Sequence, residues 1–341
     1  MSKPNILLIY TGGTIGMVKD SKTGSLAVFD FENLLEHIPE LKLLDCSIDT
    51  LSFEAPIDSS NMNPKYWVQI AEIIESNYNG FDGFVVLHGS DTMSYTASAL
   101  SFMLENLAKP VIFTGSQLPI GDFRTDAKEN LMTAVQIAAL HHKGNPIIKE
   151  VCLYFEYKLY RGNRTSKVNA EHFQAFSSPN YPDLAESGVR LKINHQHLFK
   201  PDLDKPLRVF KNMDAHVGIV KLFPGISELF LRSVFNTPNL KGIILETYGS
   251  GNCSTEIWMT NLLKETIEKG VFIINVTQCL GGSVQMGDYK TSEHLKKCGV
   301  ISGKDLTTEA AITKLMHLLG NNIIGNSFKT KYETPMRGEM I

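Results

Sequence analysis

Three short turns along the chain combine glycine with hydroxyl or carboxyl side chains, the residue types that can attack or hold a polar substrate. They read TGGTIG at 11–16, GSDTM at 89–93 and GSQLPIGD at 115–122. Each turn follows a short apolar run, and in an open α/β sheet the ligand site lies outside the carboxyl ends of the strands. We therefore expect the three turns to converge on one pocket.

The first turn offers Thr14 as a candidate nucleophile. A phosphate-binding loop is disfavoured, because TGGTIGMVK has neither the GxxxxGK[ST] nor the GxGxxG spacing. The bland alternative is a tight turn in which Gly12 and Gly13 merely supply positive φ angles. On this turn alone, both interpretations stay open.

The second turn places a hydroxyl, Ser90, beside a carboxylate, Asp91, where an apolar strand ends. Asp91 or Thr92 capping the following helix is the structural alternative. A hydroxyl nucleophile also needs an activating base. Lys167, in the polar stretch 159–173, would serve if it were desolvated in a pocket, whereas a solvated surface loop is the commoner outcome for such a stretch.

The histidines are weaker candidates for chemistry. His88 ends the apolar run FVVLH, so we expect a packed, hydrogen-bonded side chain rather than a catalytic base. His195 and His197 have a spacing that would suit a metal, but no cysteine or further histidine lies nearby in the sequence. No metal site is predicted.

The turns are positioned by strands and helices that alternate along the chain. Nearly continuous apolar runs, typical of strands buried on both faces, lie at 5–10, 84–88, 110–115, 151–155, 217–223, 242–247 and 271–277. Helical patterns lie between them, for instance after Asn63 as N-cap and Pro64 as first helical residue. The pattern predicts a larger N-terminal, mostly parallel, doubly wound α/β domain and a smaller C-terminal α/β domain.

We place the domains at 1–193 and 214–341. The stretch 194–213 interrupts the alternation of strands and helices with prolines and charged residues, and we interpret it as a linker. The polar tail 325–341 is expected to be at most partly ordered.

Composition excludes several classes of partner. With 33 basic and 36 acidic residues and no basic block, the chain is not expected to bind nucleic acid. Five widely spaced cysteines without a CxxC pair indicate reduced thiols in a cytoplasmic protein. The first apolar run is too short for a signal peptide and no run reaches membrane-spanning length, so no membrane partner is expected.

Several of these motifs together resemble a known family. They are YTGGTIG (10–16), DSSNM (58–62), LHGSDTM with the following residues to LP (87–119), LYRGNRTSK (159–167) and TQC (277–279). The chain resembles the cytoplasmic, type I bacterial L-asparaginases along nearly its whole length. The resemblance implies hydrolysis of L-asparagine to L-aspartate and ammonia without metal or organic cofactor, in a homodimer or homotetramer.

The resemblance also assigns residue roles. Thr14 matches the nucleophile that forms a β-aspartyl ester, and Ser90 matches a second catalytic hydroxyl that works with Lys167 and Asp91. Asp91 further matches the group that binds the substrate ammonium. The segment that holds the α-amino and α-carboxylate groups of the substrate corresponds to Asp58, Ser59 and Ser60.

Three departures from the family pattern stand out. Ser90 replaces the usual threonine, and no tyrosine lies between Tyr10 and Tyr66, where family members commonly carry one in a loop. Glu246 occupies the neighbourhood of an arginine that some members use to bind an effector, so allostery is not carried over.

Four other functions share features with this sequence. A broad-specificity glutaminase-asparaginase and a catalytically silent amino-acid binding protein of the same fold stay open. A tRNA-dependent amidotransferase subunit is disfavoured, because it normally carries an extra domain before TGGT and the first strand here starts at residue 5. A hydride-transfer enzyme is disfavoured, because its dinucleotide-binding glycine fingerprint is absent from the sequence.

Overall fold

The structure is a computed structural model that describes residues 3–19, 26–28, 38–287 and 290–341. It separates into two compact units, Met1–Lys211 and Asn212–Ile341. The α/β class predicted from the sequence is confirmed, with a large, mostly parallel sheet in the first unit and a smaller parallel sheet in the second.

The sheet of the N-terminal unit is built from eight strands. They are β1 (Asn5–Gly12), β2 (Ser47–Ile57), β3 (Gly83–Leu87), β4 (Val111–Thr114), β5 (Val151–Phe155), β6 (Lys158–Arg161), β7 (Ala185–Glu186) and β8 (Lys192–Ile193). Their spatial order is β8-β7-β6-β5-β4-β3-β1-β2. Strands β1 to β5 are parallel, and the last three join antiparallel at one edge.

Three helices accompany this sheet in the described residues, namely α1 (Pro64–Asn77), α2 (Met93–Met103) and α3 (Ala127–Ala138). Helix α1 begins as predicted, since the Asn63 side chain accepts a hydrogen bond from Lys65 N at 3.1 Å and Pro64 takes the first position. Helix α2 is buried almost all round, which a helix with apolar and small residues on every face permits. Packing of these helices against the sheet holds in place the strand ends at which the glycine turns begin.

The C-terminal unit has a four-stranded parallel sheet of β9 (Val217–Lys221), β10 (Gly242–Thr247), β11 (Phe272–Thr277) and β12 (Ile301–Ser302), in that order. Its helices are α4 (Glu228–Phe235), α5 (Ile257–Glu268), α6 (Lys290–Cys298), α7 (Thr308–Gly320) and α8 (Asn326–Glu333). A core of aliphatic side chains from the strands and helices holds this unit together.

All seven apolar runs form strands, but one further long strand was not predicted and two other expectations need correction. Strand β2 has no continuous apolar run, because it is an edge strand whose residues are mostly exposed or half-buried. The tail is ordered as far as helix α8 and beyond, since Phe328 and Tyr332 are fully buried. The residues SYTASALSFMLENL predict a helix over 94–107, but the helix ends at Met103, and Leu104–Glu105 instead pairs antiparallel with Arg208–Val209.

The stretch interpreted as a linker is largely attached to the N-terminal unit. His195–His197 forms a short helical turn whose His197 carbonyl accepts hydrogen bonds from Arg161 and Tyr181. Further along, the Lys211 ammonium lies 2.8 Å from Glu75 Oε2. The two compact units meet in sequence after Lys211.

None of the helices in the described part of the chain has the length and apolar character needed to cross a bilayer. All five cysteines are free thiols.

Candidate active site

The first two glycine turns lie against each other at the carboxyl ends of β1 and β3. A Cβ atom on Gly13 would lie 2.5 Å from Gly89 Cα, so the two backbones touch where no side chain fits. Gly13 also has φ +91°, a conformation that glycine adopts freely. Thr14 and Ser90 each follow one of these two glycines, and the contact therefore brings both hydroxyl-bearing residues to one place.

Side-chain hydrogen bonds tie the turns to their strands and to the 58–60 segment. Thr11 Oγ1 donates to Leu87 O at 2.9 Å, which links β1 to β3. Thr92 Oγ1 donates to Ser59 O at 2.8 Å, and a Cβ on Gly89 would lie 2.5 Å from Ser59 Oγ. Two of the three turns therefore lie together as predicted, and the 58–60 segment packs against them.

Lys167 lies beside Ser90 and Asp91, although it is far from both in sequence. Its ammonium Nζ lies 2.8 Å from Ser90 Oγ and 2.6 Å from Asp91 Oδ1. The pairing of Ser166–Lys167 with Phe176–Ser177 holds the lysine backbone. Only 17% of the lysine side chain is exposed, against 66% for Asp91, so the lysine is not on a solvated loop.

The capping interpretation of the second turn is wrong. A short helical turn, Ser90–Thr92, precedes α2, and Thr92 occupies the N-cap position without a side-chain capping bond. Its hydroxyl is used on Ser59 O, and the Asp91 carboxylate is used on Lys167. Asp91 still gains from its place at the helix start, because the positive end of the helix dipole favours a carboxylate there.

The 58–60 segment is a tight turn closed by Asp58. The Asp58 Oδ1 atom accepts a hydrogen bond from Ser60 N at 2.8 Å. That backbone bond, followed by the Ser60 hydroxyl, lowers the pKa of Asp58 below its ordinary value. Asp58 and Ser60 are exposed and Ser59 is buried, so the turn presents a charged and a polar group next to the glycine turns.

His88 is structural, as the sequence predicts. Its Nδ1 atom lies 2.7 Å from Gly89 O and its Nε2 atom 2.9 Å from Thr96 Oγ1, which in turn accepts from Trp67 Nε1 at 3.1 Å. Because a carbonyl only accepts, Nδ1 carries the hydrogen. Burial lowers the pKa of His88 to about 4, so the ring is neutral at ordinary pH.

The third turn contributes Gln117, which the sequence analysis did not single out. Ser90 Oγ donates to Gln117 Oε1 at 3.3 Å, and Gln117 Nε2 donates to the carbonyls of Ala170 and His172. Two sequence signals could have pointed to it: its position directly after a strand in a glycine and serine turn, and its place inside the family motif 87–119.

Two further points from the sequence concern the histidine pair and the loop in which a tyrosine is missing. His195 and His197 sit in their helical turn, and among the residues that the structure describes no three or more His, Cys, Asp or Glu side chains are grouped to hold a metal ion. The loop in which family members commonly carry a tyrosine falls partly on residues 20–25 and 29–37, outside the described residues.

Comparison with known proteins agrees with this arrangement. Residues 5–199 match the family model described as "Asparaginase, N-terminal", and residues 216–329 match the "Glutaminase/Asparaginase C-terminal domain". The chain therefore belongs to the asparaginase family, and the family resemblance seen in the motifs is confirmed.

Relatives that match nearly the whole of this chain support the membership. The chain is 42% identical over 343 residues to "L-asparaginase 1" of Escherichia coli K12, covering 100% of this chain and 99% of that one. It is also 42% identical over 357 residues to the "60 kDa lysophospholipase" of Mus musculus, covering 98% of this chain and 62% of that one. Its fold matches the crystal structure of L-asparaginase I from Vibrio cholerae with a TM-score of 0.90, 41% identity and 99% coverage of both chains.

Proposed function

We propose that the protein is an amidohydrolase that converts L-asparagine into L-aspartate and ammonia. The observation that carries this proposal is the Lys167 ammonium 2.8 Å from Ser90 Oγ and 2.6 Å from Asp91 Oδ1, in a turn that touches the turn of Thr14. Family membership and the full-length similarity to an L-asparaginase support the choice of substrate.

In the proposed reaction, Thr14 Oγ attacks the side-chain carbonyl carbon of asparagine. The hydroxyl proton that Thr14 gives up passes to the amide nitrogen through Ser90 and Lys167, the carbon–nitrogen bond breaks, and ammonia departs, which leaves a β-aspartyl ester on Thr14. Ser90 and Lys167, with Asp91 as counter-ion, relay protons. Water hydrolyses the ester in a second step, and backbone N–H groups of the two glycine turns stabilise the oxyanion in both steps.

The remaining polar groups of the site match the ammonium and the carboxylate of a free amino acid. Asp91 and Asp58 supply carboxylates for the substrate ammonium, and Ser59 and Ser60 supply donors for the substrate carboxylate. Hydrogen bonds in which one partner is ionised are shorter and stronger than neutral ones. The glycine turns and the 58–60 turn thus hold an α-amino acid and present its side-chain amide to Thr14.

A broad-specificity glutaminase-asparaginase is the second candidate. The description of the matched C-terminal family model names both activities. One additional methylene in the substrate changes the discrimination by only about 1–3 kcal/mol. A catalytically silent amino-acid binding protein is the outcome in which ligand binds without ammonia release.

We further propose a cytoplasmic homodimer or homotetramer that needs no cofactor and that binds neither nucleic acid nor membranes. The absence of a CxxC pair supports the cytoplasmic location, the near balance of 33 basic and 36 acidic residues supports the lack of nucleic-acid binding, and the family resemblance supports the oligomeric state. We keep the domain division 1–193 and 214–341 with the linker 194–213 as a proposal.

Ammonia release from L-asparagine and from L-glutamine tests the function, with wild type compared against Thr14→Ala and Thr14→Ser. We expect asparagine-selective release by wild type, loss of release in Thr14→Ala and partial activity in Thr14→Ser, which keeps a hydroxyl. Circular dichroism of each variant controls for folding.

The other outcomes each have a distinct meaning. Comparable rates with both amides would favour the broad-specificity enzyme. Binding of asparagine to folded wild type without ammonia release would favour the silent binding protein. Activity that survives in Thr14→Ala would remove Thr14 from the mechanism.

A further inference from the structure

The backbone of Gln117 is anchored independently of its side chain. Its backbone N donates to both carboxylate oxygens of Asp126, at 3.1 and 3.0 Å. Asp126 is only 7% exposed and also accepts from Leu118 N and from Asn130 Nδ2. A substitution at position 117 therefore leaves the turn attached to the start of helix α3.

The side-chain amide of Gln117 has only one possible orientation. Its nitrogen Nε2 lies 3.3 Å from Ala170 O and 3.0 Å from His172 O. Carbonyl oxygens only accept, so the amide nitrogen must face them and the amide oxygen must face Ser90. The Ser90 hydroxyl, 3.3 Å from that oxygen, then has to be the donor.

Ser90 thus has a different partner on each side of its oxygen. A charged Lys167 ammonium has only hydrogens to give, so Ser90 Oγ accepts from it at 2.8 Å. The single hydrogen of Ser90 is then directed at Gln117. A lone pair of Ser90 Oγ therefore stays aligned with the Lys167 Nζ–H bond, the direction along which a proton passes between the two groups.

The same amide closes a ring of contacts around the site. The carbonyls that hold Gln117 follow Lys167 by three and five residues, and Asn169 Oδ1 braces that turn by accepting from Glu171 N and His172 N, both at 2.8 Å. Ser90, Gln117, the 170–172 turn and Lys167 are consequently connected in a circle. A shift of Gln117 would move Ser90 relative to the lysine.

We propose that Gln117 is a positioning residue that fixes the direction of the Ser90 hydroxyl and its distance from Lys167. This inference rests on the function proposed above. Serine lacks the second Cβ substituent that restricts χ1 in threonine, so its hydroxyl needs an external constraint. Gln117 supplies that constraint in a chain that has serine at position 90.

The test compares Gln117→Met with wild type in steady-state ammonia release from L-asparagine. Methionine matches the length of glutamine but makes neither polar contact. We expect kcat to fall about 10- to 100-fold while KM stays within about threefold, because Gln117 acts through Ser90 and not on the substrate. The freed carbonyls of residues 170 and 172 lie at the surface, where water replaces the lost donors, so the melting temperature should change little.

Asn169→Ala is the matched control. It removes the two hydrogen bonds that brace the 169–172 turn but leaves the Gln117 and Ser90 contact, and we expect kcat within about threefold of wild type. A loss equal to that of Gln117→Met would overturn the inference, since turn rigidity alone would then explain both. A rise in KM with unchanged kcat would overturn it as well.

A Ser90→Thr background distinguishes positioning of the Ser90 hydroxyl from general support of the site. Threonine restricts its own χ1, so Gln117→Met should cost at least about threefold less in kcat in a Ser90→Thr background than in the Ser90 background. An equal loss in both backgrounds would contradict positioning through Ser90. Inactive wild type would refute the proposed function itself, whereas active wild type with a fully active Gln117→Met would refute only this inference.

Discussion

His88 shows at the residue scale how a buried titratable group supports the site without taking part in chemistry. Its ring bonds to Gly89 O and to Thr96 Oγ1, and so connects the strand β3, the glycine turn and helix α2. Burial lowers the pKa of His88 to about 4. The folded state therefore requires a neutral imidazole at a position where the unfolded chain would bind a proton near its ordinary pKa of about 6.5.

The sign of the pH dependence follows from this difference. Because the folded pKa is the lower one, the contribution of His88 to stability is fully present above about pH 6.5 and is lost as the pH falls towards about 4. Between pH 7.5 and 4.5 we expect wild type to lose about 2–3 kcal/mol more unfolding free energy than His88→Gln. Carboxylates titrate in both proteins, so only the difference between them reports on His88.

Urea unfolding at pH 7.5, 6.0 and 4.5 measures this difference, with a Trp258→Phe background so that fluorescence comes only from Trp67 in the N-terminal unit. His142→Gln, at an exposed position, is the control and should follow wild type at each pH. Parallel pH profiles for wild type and His88→Gln would show that the His88 ring is not held neutral by the fold.

At the element scale, the contact between two glycine turns is the feature on which the site depends. Gly13 lies at φ +91° and its missing side chain leaves room for Gly89. Gly225 has almost the same φ, +90°, but a Cβ there would meet nothing within 4 Å. The two positions therefore separate backbone strain from steric exclusion.

We expect Gly225→Ala to cost about 1–2 kcal/mol of stability from strain alone and to leave activity unchanged. Gly13→Ala carries the same strain but also forces the two turns apart, and a displacement of about 1 Å near the chemistry costs about a hundredfold in rate. Ammonia release and thermal unfolding of both variants check this. Full activity in a folded Gly13→Ala would mean that the close approach of the turns is not needed.

The elements also show where sequence reasoning succeeds and where it stops. Strands β1, β3, β4 and β5 are buried on both faces, so continuous apolar runs reveal them. Strand β2 lies at the sheet edge with one face towards solvent, and a search for continuous apolar runs misses such a strand.

The candidate site likewise contains residues that local sequence pattern locates and residues that it does not. Thr14, Ser90 and Asp91 lie in turns directly after buried strands, which local pattern can locate. Lys167 is 77 residues from Ser90 in the chain, and no local spacing predicts that their side chains meet. The family motifs pointed to it, whereas the polar stretch around it has the composition of a surface loop. Gln117 lies inside the motif 87–119, but the resemblance gave it no role, and its contacts with Ser90 and the 170–172 turn depend on the tertiary arrangement.

At the scale of the whole molecule, the C-terminal tail is anchored in the fold although its composition is polar. The side chains of Lys314 and Glu339 are both fully buried and paired. Lys314 also donates to Thr334 O, and Glu339 accepts from the backbone N atoms of Met336 and Arg337. Burial raises the pKa of Glu339, but the Lys314 ammonium and these donors outweigh it and hold that pKa below its ordinary value. The end of the chain is thereby fastened to helix α7.

Removal of one partner from a buried pair leaves an uncompensated charge, which typically costs about 3–5 kcal/mol. We therefore expect Glu339→Gln to lower the unfolding free energy of the C-terminal unit by that amount, as measured by urea unfolding through Trp258 in a Trp67→Phe background. Glu293→Gln, in an exposed pair with Lys297 in the same unit, is the matched control and should change the unfolding free energy little, because water and salt screen such a pair. Equal small losses in both variants would show that the tail contributes no more than a surface segment, and would remove the buried pair from the stability of the C-terminal unit.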